Sequence, residues 1–166
     1  MGFKEDLALE EKCYKQIIKP LLILKKIDSI FIRYSKDESN LVYNTLQKKH
    51  DIDIVLDNEK KNFTISIKTV RKIYKYIFFE TIKNTNTGAK GWGYYTLADY
   101  IFYVMLKEGS FDNYKLSVFK PETVRTLNIN KYKKAYGKTY ANNILLYATE
   151  GRLIPLTDFK TYKFQA

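Results

Sequence analysis

Apolar and polar positions alternate most clearly in two neighbouring segments, residues 52–56 and 63–70. A period of two is typical of a strand that buries one of its faces. The polar, turn-prone residues 57–62 separate the two segments, so the pattern predicts an antiparallel hairpin. Folding this hairpin at the middle of its polar segment would place Asp53 opposite Ser66, on the polar face of the second strand.

The spacing of apolar residues elsewhere predicts one long helix and three more strands. Steps of three and four residues over 3–19 predict an N-terminal helix, which Pro20 should end or kink. Apolar runs at 76–82, 100–105 and 114–119 predict strands. We therefore expect a single α/β domain that includes the whole chain, with a central mixed sheet, the helix against it and smaller C-terminal elements.

Weaker signals predict the smaller elements. Residues 29–34 alternate like a strand, and Ser35 or Asp37 is suited to cap a short helix after it. Proline at the first position favours another short helix over 121–127. The pattern of residues 144–156 indicates a closing hairpin with a turn at its centre.

Residues 83–93 are predicted to form a loop because of their composition. Three glycines in this loop would permit the backbone to approach a ligand closely. Lys83 and Lys90 are suited to contact phosphates, and Trp92, the only tryptophan, is suited to stack on a base or a sugar. The loop carries no phosphate-binding or dinucleotide fingerprint, so its composition alone is weak evidence.

The charge of the chain points to a polyanionic partner. The 166 residues include 29 Lys and Arg against 18 Asp and Glu, a net charge of +11. Such an excess favours nucleic acid, although a generally lysine-rich proteome would leave the charge without that meaning. Residues 131–140 interleave lysines with tyrosines, and predict either a patch in which Lys133 and Lys134 contact a nucleic-acid backbone or an exposed lysine-rich loop.

Residue counts exclude several kinds of site. Cys13 and His50 are the only residues of their types. An intrachain disulfide, a cysteine-rich zinc site and a cluster of histidine metal ligands are therefore excluded. We expect His50 to be a strand-edge residue rather than the histidine of a Ser-His-Asp triad. The N-terminal residues lack the apolar core of a signal peptide, and no apolar run approaches the length of a membrane span. We expect a cytoplasmic protein with no membrane partner.

Three charged side chains of the central segments are together suited to hold a divalent metal beside a phosphate. Asp53, Lys68 and Glu80 would lie on adjacent strands, and Glu80 stands among aromatic residues, where a lone charge is costly to bury. Oxygen ligands of this kind suit Mg²⁺, for which Mn²⁺ substitutes. The lysine could orient or deprotonate an attacking water, or offset the negative charge of a phosphate.

The order Asp53, then Ser66-Ile67-Lys68, then Glu80 resembles the PD-(D/E)XK nuclease superfamily. The usual pattern has an acid two residues before the lysine, and Ser66 holds that place here. Some restriction enzymes of the superfamily show a similar S-x-K and recover the carboxylate from a later glutamate, a position that Glu80 fits. The stretch 91–101, GWGYYTLADYI, also resembles small phage-type members of the superfamily.

The resemblance implies a restriction-endonuclease-like fold and Mg²⁺-dependent hydrolysis of phosphodiester bonds, in DNA rather than RNA, by a phage-like enzyme. It implies that Asp53 and Glu80 bind the metal and that Lys68 acts on the water. Ser66 would be a minor polar neighbour, and Asp51 a reserve ligand on the same strand face as Asp53.

An acid on the first helix is a further candidate. Members of the superfamily often direct a glutamate of this helix at the metal, and the resemblance offers Glu11 for that role. Glu10 stands beside it, and its role is left open. The alternative for both residues is a solvated acid that stabilises the helix dipole.

Other functions remain open at this stage. Because Ser66 removes a usual ligand, the chain could be a non-catalytic nucleic-acid-binding protein on a nuclease-like scaffold. It could also be a structural protein whose basic charge binds an acidic partner. Asp and Lys are, moreover, common on the exposed faces of strands that have no active site. A homodimer is not excluded by the sequence.

Overall fold

A computed structural model describes residues 3–32, 42–57, 62–141 and 144–163, and it confirms a single α/β domain that contains a mixed sheet. The predicted helix caps at Ser35 and Asp37, the end of the predicted strand 29–34, and the tip of the first hairpin lie outside the described residues. Within them, no helix is long and apolar enough to cross a membrane.

The N-terminal helix is longer than predicted because it passes through Pro20. It comprises α1 (Phe3–Cys13), a π-helical turn (Tyr14–Ile18) and α2 (Lys19–Leu24). The expectation that Pro20 ends the helix is wrong, because the chain stays helical through it and the proline occupies the first turn of α2, directly after the π-helical turn. At that position a missing N–H group removes no hydrogen bond that the helix needs.

In the described part of the chain, nine strands form two sheets. The strands are β1 (Asp28–Phe31), β2 (Ile54–Asp57), β3 (Phe63–Val70), β4 (Tyr76–Asn84), β5 (Ala89–Lys90), β6 (Tyr100–Lys107), β7 (Ser110–Phe119), β8 (Lys134–Ala141) and β9 (Ile144–Pro155). Sheet A has the order β1-β2-β3-β6-β7, in which only β3 and β6 are parallel, and sheet B has the antiparallel order β5-β4-β9-β8.

Sheet B bears on three expectations from the sequence. Glu80 lies on β4, and so it is not on a strand of the sheet that carries β3. Residues 131–140, for which the sequence left a nucleic-acid patch or an exposed lysine-rich loop open, are largely the strand β8. Strand β9 continues through residues 150 and 151, where the sequence indicated a turn. No turn forms at Glu150 because this residue is paired with Tyr136 of β8 inside a strand that is twelve residues long.

The predicted loop 83–93 is a short hairpin followed by a helical turn. Strand β4 continues to Asn84, pairs with β5 and is followed by α3 (Trp92–Tyr95). The helix predicted at 121–127 is α4 (Pro121–Arg125), and a 3₁₀ turn (Ile129–Lys131) leads from it to β8. These short elements bring α3 against β4 and α4 against α3.

Two hydrophobic cores lie on opposite faces of sheet A. The first lies between the N-terminal helix and one face of β2, β3 and β6, with Ile18, Ile65 and Val104 at its centre. The second lies between the other face of β6 and sheet B, with Tyr103 and Phe79 among its residues. Because β3 side chains alternate, the face of β3 opposite Ile65 and Ile67 turns toward sheet B.

Candidate functional site

The hairpin of β2 and β3 positions the first carboxylate. Ile54 lies opposite Ile65, so the predicted register, which places Asp53 opposite Ser66, is confirmed. β2 begins after Asp53, and the Asp53 side chain continues its hydrogen-bond ladder: its Oδ2 accepts from the backbone N–H of Ile67 at 2.6 Å. A carboxylate thus occupies the place of a main-chain acceptor at the end of the strand.

Asp51 is the residue on which the polar side chains converge. Its Oδ2 accepts from the hydroxyl of Ser66 at 2.8 Å, and its Oδ1 accepts from the ammonium of Lys68 at 2.7 Å. The Asp51 residue is only 4% exposed and has φ of +55°, a left-handed conformation that aspartate adopts more readily than most residues. Such a backbone conformation at a buried, paired acid is typical of a functional site.

The charges of this cluster shift its pKa values strongly. Burial raises the pKa of Asp53 to about 6. The Lys68 ammonium lowers this pKa, and the Asp51 carboxylate raises it further. Burial would lower the pKa of Lys68, but Asp51 and Asp53 together raise it above its ordinary value. Lys68 is therefore an ammonium at neutral pH, and Asp53 is a carboxylate whose negative charge is incompletely balanced.

Glu80 reaches the same cluster from sheet B. Its Oε1 accepts from the backbone N–H of Trp92 at 3.3 Å, and it interacts electrostatically with Lys68 and Asp51. Burial raises the pKa of Glu80, and Lys68 opposes that rise. The approach of the two segments depends on Gly91, because a Cβ there would lie 2.5 Å from the Glu80 carbonyl oxygen.

The turn α3 follows the segment that carries Glu80 and contacts Asp51 through Tyr95. The sequence did not single out Tyr95. The hydroxyl of Tyr95 donates to Oδ1 of Asp51 at 3.4 Å. Arg125 holds the turn in place, because its guanidinium donates to the carbonyl oxygens of Gly93 and Thr96, both at 2.7 Å. In a chain with 15 tyrosines, nothing in the sequence marks Tyr95 except its place after the Gly-rich motif.

The two acids of the first helix have different surroundings. Glu11 forms an i,i+4 ion pair with Lys15, with 2.7 Å between Oε1 and Nζ. Glu10 acts electrostatically on Lys68 of β3 and on Cys13 at the end of α1. Of the two acids, Glu10 is therefore the one that acts on the pKa of Lys68, whereas the role predicted for Glu11 stays a prediction.

The residues predicted to bind nucleic acid lie in three different environments. Lys83 stands near the site, with its Nζ 5.8 Å from the centre of the Tyr95 ring, and Lys90 is exposed on β5. Trp92 is only 6% exposed and packs edge-on against Phe79, so little of its ring is open to a base, and stacking on a ligand stays a prediction. Its indole instead lies 5.9 Å below the ammonium of Lys68.

The two remaining lysines lie at the far edge of sheet B. Lys133 is exposed just before β8. Lys134 forms an ion pair of 2.8 Å with Glu150 on β9, and hydrogen bonding to Glu150 raises its pKa. The charge of Lys134 is therefore already partly balanced within the protein.

The carboxylates match the donor chemistry of a divalent metal. In the described part of the chain, no three His, Cys, Asp or Glu side chains form a ready metal cage. Mg²⁺, however, is commonly held by one or two carboxylates and several waters, and Asp51 and Asp53 supply two. The raised pKa of Asp53 indicates that a further positive charge beside it would be favourable. The residues present therefore fit Mg²⁺ or Mn²⁺ in type.

The chain matches no protein-family model, and no curated protein or solved structure was found to match it.

Proposed function

We propose that this protein is a metal-dependent nuclease that hydrolyses phosphodiester bonds, with DNA as its substrate. The observation that carries the proposal is the buried cluster of Asp51, Asp53 and Lys68 at the end of a β-hairpin, with Glu80 in electrostatic range. Strongly shifted pKa values in one polar cluster are typical of sites that perform chemistry. The net charge of +11 favours a polyanionic substrate.

The metal would be held by Asp51 and Asp53, with Glu80 as the further acid of the site. A divalent ion bound there would lower the pKa of a water and balance charge on the phosphoryl oxygens. The structure supports a change of emphasis within this ligand set. Asp51 contacts both Ser66 and Lys68, so it is a principal ligand in the proposal rather than a reserve.

Lys68 would act as a fixed positive charge. Because its pKa is raised by Asp51 and Asp53, it keeps its proton at neutral pH. It would therefore stabilise negative charge on the phosphate or orient the attacking water by donating to it, and it would not remove a proton. The ring of Trp92, 5.9 Å away, supports the ammonium from below.

Ser66 and Tyr95 would position Asp51. The hydroxyl of Ser66 donates to Oδ2 and the hydroxyl of Tyr95 donates to Oδ1, so the two donors act on the two oxygens of one carboxylate. Burial raises the pKa of Tyr95, so its hydroxyl remains a donor at neutral pH. The proposal thus assigns Ser66 a positioning role in the place where the superfamily usually has an acid.

The test is nicking of supercoiled plasmid in Mg²⁺ or Mn²⁺ and then in excess EDTA. Lys68→Ala should lower the nicking rate by about 100-fold or more, the scale of removing one preorganised charge from such a site. Lys115→Ala on β7 is the control, because it removes an exposed strand lysine and should leave the rate unchanged. Circular dichroism at the assay temperature must show that both variants are folded. Nicking by folded Lys68→Ala within tenfold of wild type would contradict the proposal.

A non-catalytic nucleic-acid-binding protein is the second candidate. Ser66 favours it, since a serine that donates to Asp51 stands where the superfamily pattern has a metal ligand. The same assay separates the two candidates. Salt-sensitive DNA binding with no metal-dependent nicking by the wild-type protein would support this second candidate.

A further inference from the structure

Strand β8 presents an alternating basic and aromatic face at the edge of sheet B. β8 is the last strand in the order β5-β4-β9-β8. Lys134, Tyr136 and Lys138 share one face and are all exposed, and Tyr136 is 57% exposed. Neighbouring side chains on one face of a strand stand about 6.8 Å apart. The result is a row in which a tyrosine ring is flanked by two lysines.

The Tyr136 ring is held from one side by its neighbours. Tyr136 lies opposite Glu150 on β9, and Glu150 pairs with Lys134 at 2.8 Å. The ammonium of Lys134 lies 5.5 Å from the centre of the Tyr136 ring, within the range of a cation–π contact. Glu150 therefore fixes Lys134, and Lys134 fixes the ring. An exposed ring that is oriented in advance loses less entropy when a ligand stacks on it.

Lysines outnumber acids around this ring, where Glu150 is the cross-strand neighbour. Residues 131–141 contain lysines but no Asp or Glu. Lys131 and Lys133 are exposed before the strand, and Lys138 is exposed beyond the ring. Because Lys134 is paired with Glu150, Lys138 is the flanking cation in this row that is placed to meet an anion. Phosphate is the anion that occurs beside a stackable ring in nucleic acid.

We propose that this face of Lys134, Tyr136 and Lys138, the β8 platform, binds an unpaired nucleic-acid strand. One base would stack on the ring of Tyr136, and a neighbouring phosphate would contact Lys138. A duplex fits less well because its bases are already stacked on one another and expose only their edges. The inference rests on the proposed function for nucleic acid as the partner, and it adds which form of the strand is bound.

The position of the platform relates it to the candidate site. β8 lies two strands from β4, which is about 10 Å across the sheet. The pairing of β4 with β9 shifts by one residue between Glu80 and Ile82, so Tyr136 shares its cross-strand row with Glu150 and Ile82, whereas Glu80 pairs with Gly151. A strand bound on the platform would therefore lie on the same sheet that carries Glu80.

The test is a binding titration in EDTA, so that cleavage plays no part. The probes are fluorescein-labelled dT₁₂ and a duplex of the same length. Tyr136→Ala should weaken dT₁₂ binding by about tenfold or more, and Tyr136→Phe, which keeps the ring, should bind like wild type. Duplex binding should change less than twofold. Tyr114→Ala is the matched control, because Tyr114 is 36% exposed on the edge strand β7 and should not matter.

A second variant measures the phosphate contact independently. Lys138→Gln should reduce the slope of log affinity against log salt for dT₁₂ by about 0.7, the contribution of one phosphate contact on a single strand. Unchanged dT₁₂ affinity in folded Tyr136→Ala, or an equal loss on dT₁₂ and duplex, would overturn the platform. These results are separable from the nuclease proposal. Platform binding without metal-dependent nicking would contradict only the nuclease, and nicking with no effect of Tyr136 would contradict only the platform.

Discussion

Two lysines of this protein form almost the same local contacts in opposite surroundings. Lys68 lies 2.7 Å from a carboxylate oxygen of Asp51 and 5.9 Å from the Trp92 ring centre. Lys134 lies 2.8 Å from Glu150 and 5.5 Å from the Tyr136 ring centre. The Lys68 side chain is 16% exposed, and that of Lys134 is 44% exposed. Burial, rather than the contact itself, separates the candidate site from the β8 platform.

The difference shows what each pair can do. A solvated ion pair contributes little to stability, so Lys134 is best understood as a support for the Tyr136 ring. A buried pair is costly to form and costly to break, because either partner left alone is a charge without water around it. The Asp51–Lys68 pair has further partners: Ser66 donates to Asp51, and Asp53 interacts electrostatically with Lys68. These contacts offset the cost of burying the pair at the place where the chemistry would occur.

The largest expected effect comes from breaking the buried pair. Lys68→Gln leaves Asp51 and Asp53 without their cation, so we expect the free energy of unfolding at pH 8 to fall by about 3–5 kcal/mol. Lys134→Gln should leave it almost unchanged, because water replaces the lost partner. Urea denaturation in EDTA measures both variants. Equal losses in the two variants would mean that burial does not distinguish the two regions.

The second-largest expected effect is a pH-dependent gain in stability when the charge of Asp53 is removed. The pKa of Asp53 rises from its ordinary value of 3.8 to about 6 in the folded protein. Between these values the folded protein holds a proton that the unfolded chain releases, so stability falls as pH rises through this window. The full cost above pH 6 is about 3 kcal/mol as an upper bound.

Asp53→Asn should remove that cost, because an amide keeps the oxygen that accepts from the Ile67 N–H but carries no charge. We expect the variant to be more stable than wild type at pH 8 in EDTA, with the gain vanishing near pH 4. Asp112→Asn, at an exposed position of β7, is the control and should show no such dependence. Thermal unfolding across pH checks this, and a destabilised Asp53→Asn at pH 8 would contradict the account.

The smallest expected effect concerns Tyr95. Its hydroxyl forms the longest of the three hydrogen bonds to the Asp51 carboxylate, at 3.4 Å, so Tyr95→Phe should lower kcat by about three- to tenfold. KM should stay the same, because the hydroxyl does not contact the substrate in this account. Tyr94→Phe removes the neighbouring hydroxyl and should change neither constant. A rise in KM with constant kcat would place Tyr95 in substrate binding instead.

The local pattern of the sequence predicted the hairpin well and its surroundings poorly. Alternation in β2 and β3 set the register that places Asp53 opposite Ser66, because side-chain parity alone determines faces in a hairpin. The same rule said nothing about which sheet β4 joins. Glu80 was expected on a neighbouring strand, whereas it reaches the site from sheet B through the close approach at Gly91.

The roles of single residues within the site depend on contacts that sequence spacing does not contain. Asp51 was ranked behind Asp53, yet its left-handed backbone conformation turns it toward both Ser66 and Lys68. Tyr95 approaches Asp51 from α3, a turn that Arg125 supports by donating to the carbonyl oxygens of Gly93 and Thr96. Trp92 was expected in a loop, with its ring suited to stack on a base or a sugar, but its indole packs edge-on against Phe79 in the second core.

The metal-dependent nuclease is tested by the rate of plasmid nicking by Asp53→Asn beside wild type, in Mg²⁺ at pH 8. This variant is expected to be at least as stable as wild type, so a loss of activity cannot come from unfolding. The account predicts metal-dependent nicking by wild type and a rate at least about 100-fold lower for Asp53→Asn. Equal nicking by the two proteins, or nicking by wild type that persists in EDTA, would contradict it.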